Sequence, residues 1–91
     1  MNSKADMEEF HRTNDMALVT FLKMQGHAVQ MVQWDGNTCF WYFRLSDGLK
    51  SLVGEFTEGR GLVEPREYNR MFSLTKREFY DEKDRHPTSR R

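Results

Sequence analysis

Cys39, His11, His27 and His86 are the residue types in this 91-residue chain that serve nucleophilic or metal chemistry. A thiol nucleophile needs an imidazole beside it, and nothing in the spacing of these four demands such a pair. Zinc asks for close pairs of ligands, and one cysteine with three scattered histidines supplies none. A lone cysteine in an apolar strand is more often a small buried hydrophobe. The order helix, Gly26-His27, strand, turn, strand matches the start of a metal-dependent nuclease core. That chemistry holds Mg²⁺ on strand carboxylates, whereas Cys39 to Leu45 carries Arg44 and no acid, and Asp35 falls in a turn. The glycines of "GEFTEGRG" lack the Lys-Ser/Thr of a phosphate loop. The expectation is a non-enzymatic protein with no cofactor and no metal.

Binding chemistry is better represented. The stretch "TCFWYFRL", Thr38 to Leu45, holds four consecutive aromatic residues. A half-buried strand alternates apolar and polar residues because its side chains point to opposite faces; here both faces are aromatic. Cys39, Trp41, Phe43 and Leu45 form one set, expected to face the core. Phe40, Tyr42 and Arg44 form the other, which needs a second layer, another subunit or a partner. Exposed aromatic residues with Met and Arg mark association surfaces, and rings flanked by Arg also stack on unpaired bases. The expected partner-binding residues are Phe40, Tyr42 and Arg44, then Trp34 beside the turn, then Arg66, Arg70 and Arg77. The plain alternative is that Phe40 is core and the arginines are a solvated helix face paired with Glu67 and Asp81.

These residues must be positioned by a small set of elements. "TNDMALVTFLKMQGH" reads as a helix capped by Thr13 or Asn14 and ended by Gly26. Leu18, Phe21 and Leu22 share a face, while Met16 and Val19 fall outside it, so the helix is covered twice, sits in an interface, or simply exposes two apolar residues. Ala28 to Trp34 and Thr38 to Leu45 read as a hairpin about Asp35-Gly36. A second helix begins at Ser46 or Asp47 and carries Leu49, Leu52, Val53 and Phe56. A third, from Pro65, places Tyr68, Met71, Phe72, Thr75 and Phe79 on one side. At about 100° per residue, Arg66, Arg70 and Arg77 gather on the other. The fold class is α+β, helix–β-hairpin–helix–helix, with helices on one face of a small antiparallel sheet. Two strands alone make a poor sheet in water. A third strand is expected around Phe10 to Arg12 or at Leu62–Val63, or else the hairpin pairs with a second copy of the chain.

Length and composition set the outer limits. One domain is expected, spanning 10–83, with a mobile N-terminus over 1–9 and a flexible basic tail over 84–91. Fourteen Lys/Arg balance fourteen Asp/Glu, which excludes a strongly basic nucleic-acid binder and an acidic DNA mimic. The segment from Pro65 to Arg91 alone is basic, with eight Lys/Arg against five Asp/Glu. A single cysteine allows no internal disulfide and fits a reducing, cytoplasmic setting. No apolar run reaches the roughly 20 residues of a membrane span, so no membrane partner is expected.

Three stretches, "FHRTNDMALVTFLKMQGH", "FWYFRLSDGLKSLVGEF" and "VEPREYNRMFSLTKREFY", resemble a family of small prokaryotic and phage proteins known only as a domain of unknown function. The shared pattern is an N-capped helix ending in Gly-His, a strand with aromatics at i and i+2 (here Trp41 and Phe43), and a Val-acid-Pro-Arg helix start. The resemblance implies the helix–hairpin–helix–helix order and a phage or mobile-element setting, and no activity. Phe40 and Tyr42 depart from it, filling positions usually less aromatic. The expected function is therefore an accessory protein that docks on a host or viral protein, an inhibitor or modulator of a host factor, with homodimerisation the simplest association. Nucleic-acid binding through the hairpin aromatics and the third-helix arginines is the alternative.

Overall fold

A computed structural model describes residues 9–85. Its elements run β1 (Phe10–Thr13), α1 (Met16–Met24), β2 (Val29–Asp35), β3 (Thr38–Arg44), α2 (Asp47–Thr57) and α3 (Pro65–Arg85). The three strands form one antiparallel sheet in the order β1-β3-β2. The class is α+β, as expected. The third strand is β1, from Phe10 to Thr13, while Leu62–Val63 belongs to no strand and Leu62 stands 88% exposed. Because β1 takes the free edge of β3, the sheet reaches three strands within one chain. The hairpin's need for a second copy disappears.

The hairpin closes through Gly36-Asn37, since Asp35 pairs with Thr38. Gly36 alone in this loop has a positive φ, +63°, the placement found in two-residue turns with glycine first. The register then sends Cys39, Trp41 and Phe43 to one face, at 4%, 3% and 0% exposure. Across from them lie Trp34, Val32 and Val29 on β2, and Trp41 and Phe43 also meet Thr13 and His11 on β1. A bulge at Gln30, between Val29 and Met31, keeps both ends of β2 in phase with β3.

Helix α1 begins one or two residues later than expected. Asp15, not Thr13 or Asn14, is the cap, and its carboxylate accepts from the Ala17 and Leu18 amides. Thr13 instead ends β1, and its hydroxyl accepts from the Asp15 amide. Val19, expected off the apolar face, is fully buried, and Met16 packs on the core. The helix is covered twice. Its Phe21 ring meets Phe56 of α2 at 5.4 Å, and Thr20 meets Thr75 of α3 at 3.2 Å. The Ser46 hydroxyl caps α2 by accepting from the Leu49 amide. Helix α3 is longer than expected and absorbs Asp84 and Arg85. Residues 1–8 and 86–91, where most of the expected mobile N-terminus and basic tail fall, lie outside the described residues; Glu9 is described, and its carbonyl accepts from the Leu45 amide.

The α2–α3 connection crosses the end of the core at Gly61. A β-carbon there would sit 2.9 Å from the Phe21 ring, and that ring is itself 2% exposed. Gly61→Ala is expected to cost about 1–2 kcal/mol through forced repacking, read as a lower urea midpoint at unchanged slope. An unchanged midpoint would mean the loop lifts freely.

Candidate functional site: the open face of the sheet

All three helices pack on the face that carries Trp41 and Phe43. Among the described residues no element covers the opposite face. Alternation puts Phe40, Tyr42 and Arg44 there from β3. The pairing adds Phe10 beside Arg44 and Arg12 beside Tyr42 from β1, with Met31 and Gln33 from β2. Three of the expected residues thus come together, joined by four that were not singled out. The signal for two of the four was the short alternation Phe10-His11-Arg12-Thr13, whose odd members match those of "FWYFR" once the strands are paired. Met31 and Gln33 required the position of the turn, since counting back from the Asp35–Thr38 pair sets them against Tyr42 and Phe40.

The rings on this face are covered by guanidinium groups. Arg12 lies over the Phe40 ring, its guanidinium carbon 4.1 Å from the centroid, and Arg44 lies 5.6 Å over Phe10. Phe10 and Tyr42 meet edge to face at 6.3 Å and 77°, the arrangement favoured by ring quadrupoles. Each exposed cation–π contact is worth about 0.5–1 kcal/mol, so the face has a defined shape without being locked. Arg44 also reaches Glu9 at 3.2 Å, with both side chains more than half exposed; such a pair adds little. Arg12 has no carboxylate partner among the described residues. Stacking engages the flat side of a guanidinium and leaves its edge donors available.

The other expected residues lie elsewhere. Trp34 projects to the helix side, 5.9 Å from Phe79, and is half-buried; it packs the core and does not join Tyr42. Arg66, Arg70 and Arg77 are exposed on α3, on its outer side, with the helix layer between them and the open face. Arg70 pairs with Glu67 at 2.6 Å, as a solvated helix face would. The expected combination of hairpin aromatics with helix arginines is therefore split between opposite sides of the molecule.

The chemistry-bearing residues are also separated. Cys39 is buried, and its thiol is pushed up from 9.0 to about 11, first by burial and then by the Glu82 carboxylate. A thiol so placed is unreactive at neutral pH. In the native protein Cys39 is expected to resist alkylation at pH 8 and to react once the chain is unfolded; rapid native labelling would place it at the surface. The sign of its pH effect follows from the same shift. Raising an acid's folded pKa costs stability only where the unfolded thiol ionises first, so stability falls as pH climbs from about 9 towards 11 and is unaffected below. Two crevices flank Trp41. One, of about 240 Å³, lies between β2 and the end of α3. The other, of about 220 Å³, lies beside Cys39 and Phe79. Among the described residues no three His, Cys, Asp or Glu gather to hold a metal ion, and no helix is long and apolar enough to cross a membrane.

No protein-family model, curated protein or solved structure matches the chain.

Proposed function

We propose that the chain is a non-enzymatic docking module whose working surface is the open face of its sheet. The observation that carries this is the gathering of Phe10, Phe40, Tyr42, Arg12 and Arg44 on one uncovered face, held by ring and cation–π contacts. Aromatic residues and Arg are the types that dominate binding energy at interfaces, and here the arginines are exposed and the rings half-buried, outside the core cluster. The buried, high-pKa thiol supports the non-enzymatic part. The setting in a phage or mobile element, in a host cytoplasm and acting on a host factor, belongs to the same proposal and rests on the residue pattern of the three quoted stretches.

Tyr42→Ala combined with Arg44→Ala tests the surface. The double variant is expected to keep its circular dichroism spectrum and most of its stability, because both side chains lie off the core. It is expected to lose at least ten-fold of whatever the wild type captures from host lysate, with protein and nucleic acid both analysed. Equal capture by the two proteins, or unfolding of the variant, would show that this face is structural.

A further inference from the structure

We infer that the partner of the open face is single-stranded nucleic acid, an inference that rests on the docking role proposed above. Phe40 and Tyr42 stand two residues apart on the central strand, about 7 Å by strand rise, and Phe10 adds a third ring on the neighbouring strand against Tyr42. Arg12 lies over Phe40 and Arg44 over Phe10, and unstacked bases stack on guanidinium planes as well as on rings, with little regard to base identity. Among the described residues no carboxylate claims the edge donors of Arg12, which stacks on Phe40, and Arg44 is held by the exposed Glu9 carboxylate. Both arginines thus lie over rings with edge donors turned to reach a backbone phosphate.

Size and charge argue against other occupants. The face carries seven side chains, Phe10, Arg12, Met31, Gln33, Phe40, Tyr42 and Arg44, whereas a stable protein interface engages roughly 20–30 residues a side, so neither a second copy nor a globular protein is well served by this face alone. A second copy would also set arginines against arginines. Duplex is disfavoured because its major groove admits a helix or a two-stranded ribbon, and this face is a flat sheet. The zero net charge of the chain fits a mode in which stacking leads and only two phosphates are neutralised.

The number of phosphates gives a test that needs no variant. Fluorescence anisotropy with a labelled eight-nucleotide oligothymidylate and an oligouridylate is expected to show saturable binding at low salt. The logarithm of affinity should fall against the logarithm of salt with a slope of about −1.4, two phosphates at about −0.7 each. Arg12→Ala should halve that slope. Tyr42→Ala should weaken binding about ten-fold and leave the slope unchanged. Removing Arg66, Arg70 and Arg77 together should change neither. The inference is overturned by absence of saturable binding at low salt, by preference for a duplex of the same length, or by a steep slope abolished with the α3 arginines. A dimer that dissociates on Tyr42→Ala would overturn it too. If no oligonucleotide binds while lysate capture still depends on Tyr42 and Arg44, the docking role stands and its nucleic-acid occupant falls.

Discussion

Trp41→Ala is expected to lower the free energy of unfolding by about 3–5 kcal/mol, the largest effect of any single truncation discussed. The indole is 3% exposed, lies across from Val32 and Thr13, and meets Phe79 of α3 at 6.1 Å. Its removal deletes one of the two indole contacts, with that of Trp34, by which Phe79 of α3 meets the sheet. The crevices on either side of it let solvent and neighbours relax into the gap, which favours the lower half of that range. A small domain holds about 5–15 kcal/mol in total, so the variant should melt tens of degrees lower or populate unfolded chain at 37 °C. Adjacent Tyr42→Ala should cost far less, although it removes nearly as much ring. Urea titrations of the two variants measure the difference directly. Equal costs would mean that the open face is as structural as the packed one.

The second large effect is at the crossing of α1 and α3. Thr20 and Thr75 are both fully buried there, their hydroxyls 3.2 Å apart. Each hydroxyl also donates back to its own helix, Thr20 to the Met16 carbonyl at 2.8 Å and Thr75 to the Met71 carbonyl at 3.0 Å. Lys23 spans the same crossing, reaching Thr75 at 3.3 Å and Glu78 at 2.9 Å. Such bonds satisfy polar groups that would otherwise be costly to bury. Thr75→Leu has no space to occupy and should cost the upper part of about 1–3 kcal/mol by overpacking. Thr75→Val keeps the shape and removes the hydroxyl, and should cost only about 0.5–1.5 kcal/mol. Thermal melts that rank valine below leucine would show that hydrogen bonding, and not volume, sets the helix spacing.

Most of the frame was legible because its local rules act over a few residues. The cap at Ser46, the hairpin turn (centred on Gly36-Asn37, one residue beyond Asp35-Gly36) and the Leu49–Phe56 stripe each depend on neighbours within one or two turns of chain. The alternation in "TCFWYFRL" separated core from open face correctly for the same reason. What failed depended on contacts between distant segments. Val19 is buried because α1 is covered by both α2 and α3, which no single-helix periodicity reveals. Trp34 and Phe40 look alike as exposed-aromatic candidates until the Gly36-Asn37 turn sets Trp34 against Cys39 and so assigns the two rings to opposite faces. Arg12 is invisible as a site residue without β1 beside Tyr42, since a four-residue strand carries almost no periodic signal of its own.

The bulge at Gln30 has a bearing on solubility. In the described sheet β2 is outermost, with no strand paired to its far side. A regular, uncovered strand of seven residues would template pairing with other chains and seed aggregates. The extra residue sharpens the local twist and breaks the even spacing of outward amides, while Gln30, Gln33 and Asp35 keep that margin polar. Shortening β2 by deleting Gln30 would straighten it into an adhesive edge. The pairings of Val29 with Phe43 and of Met31 with Tyr42 would survive the deletion, so the loss would fall on the margin of the sheet and not on its two faces.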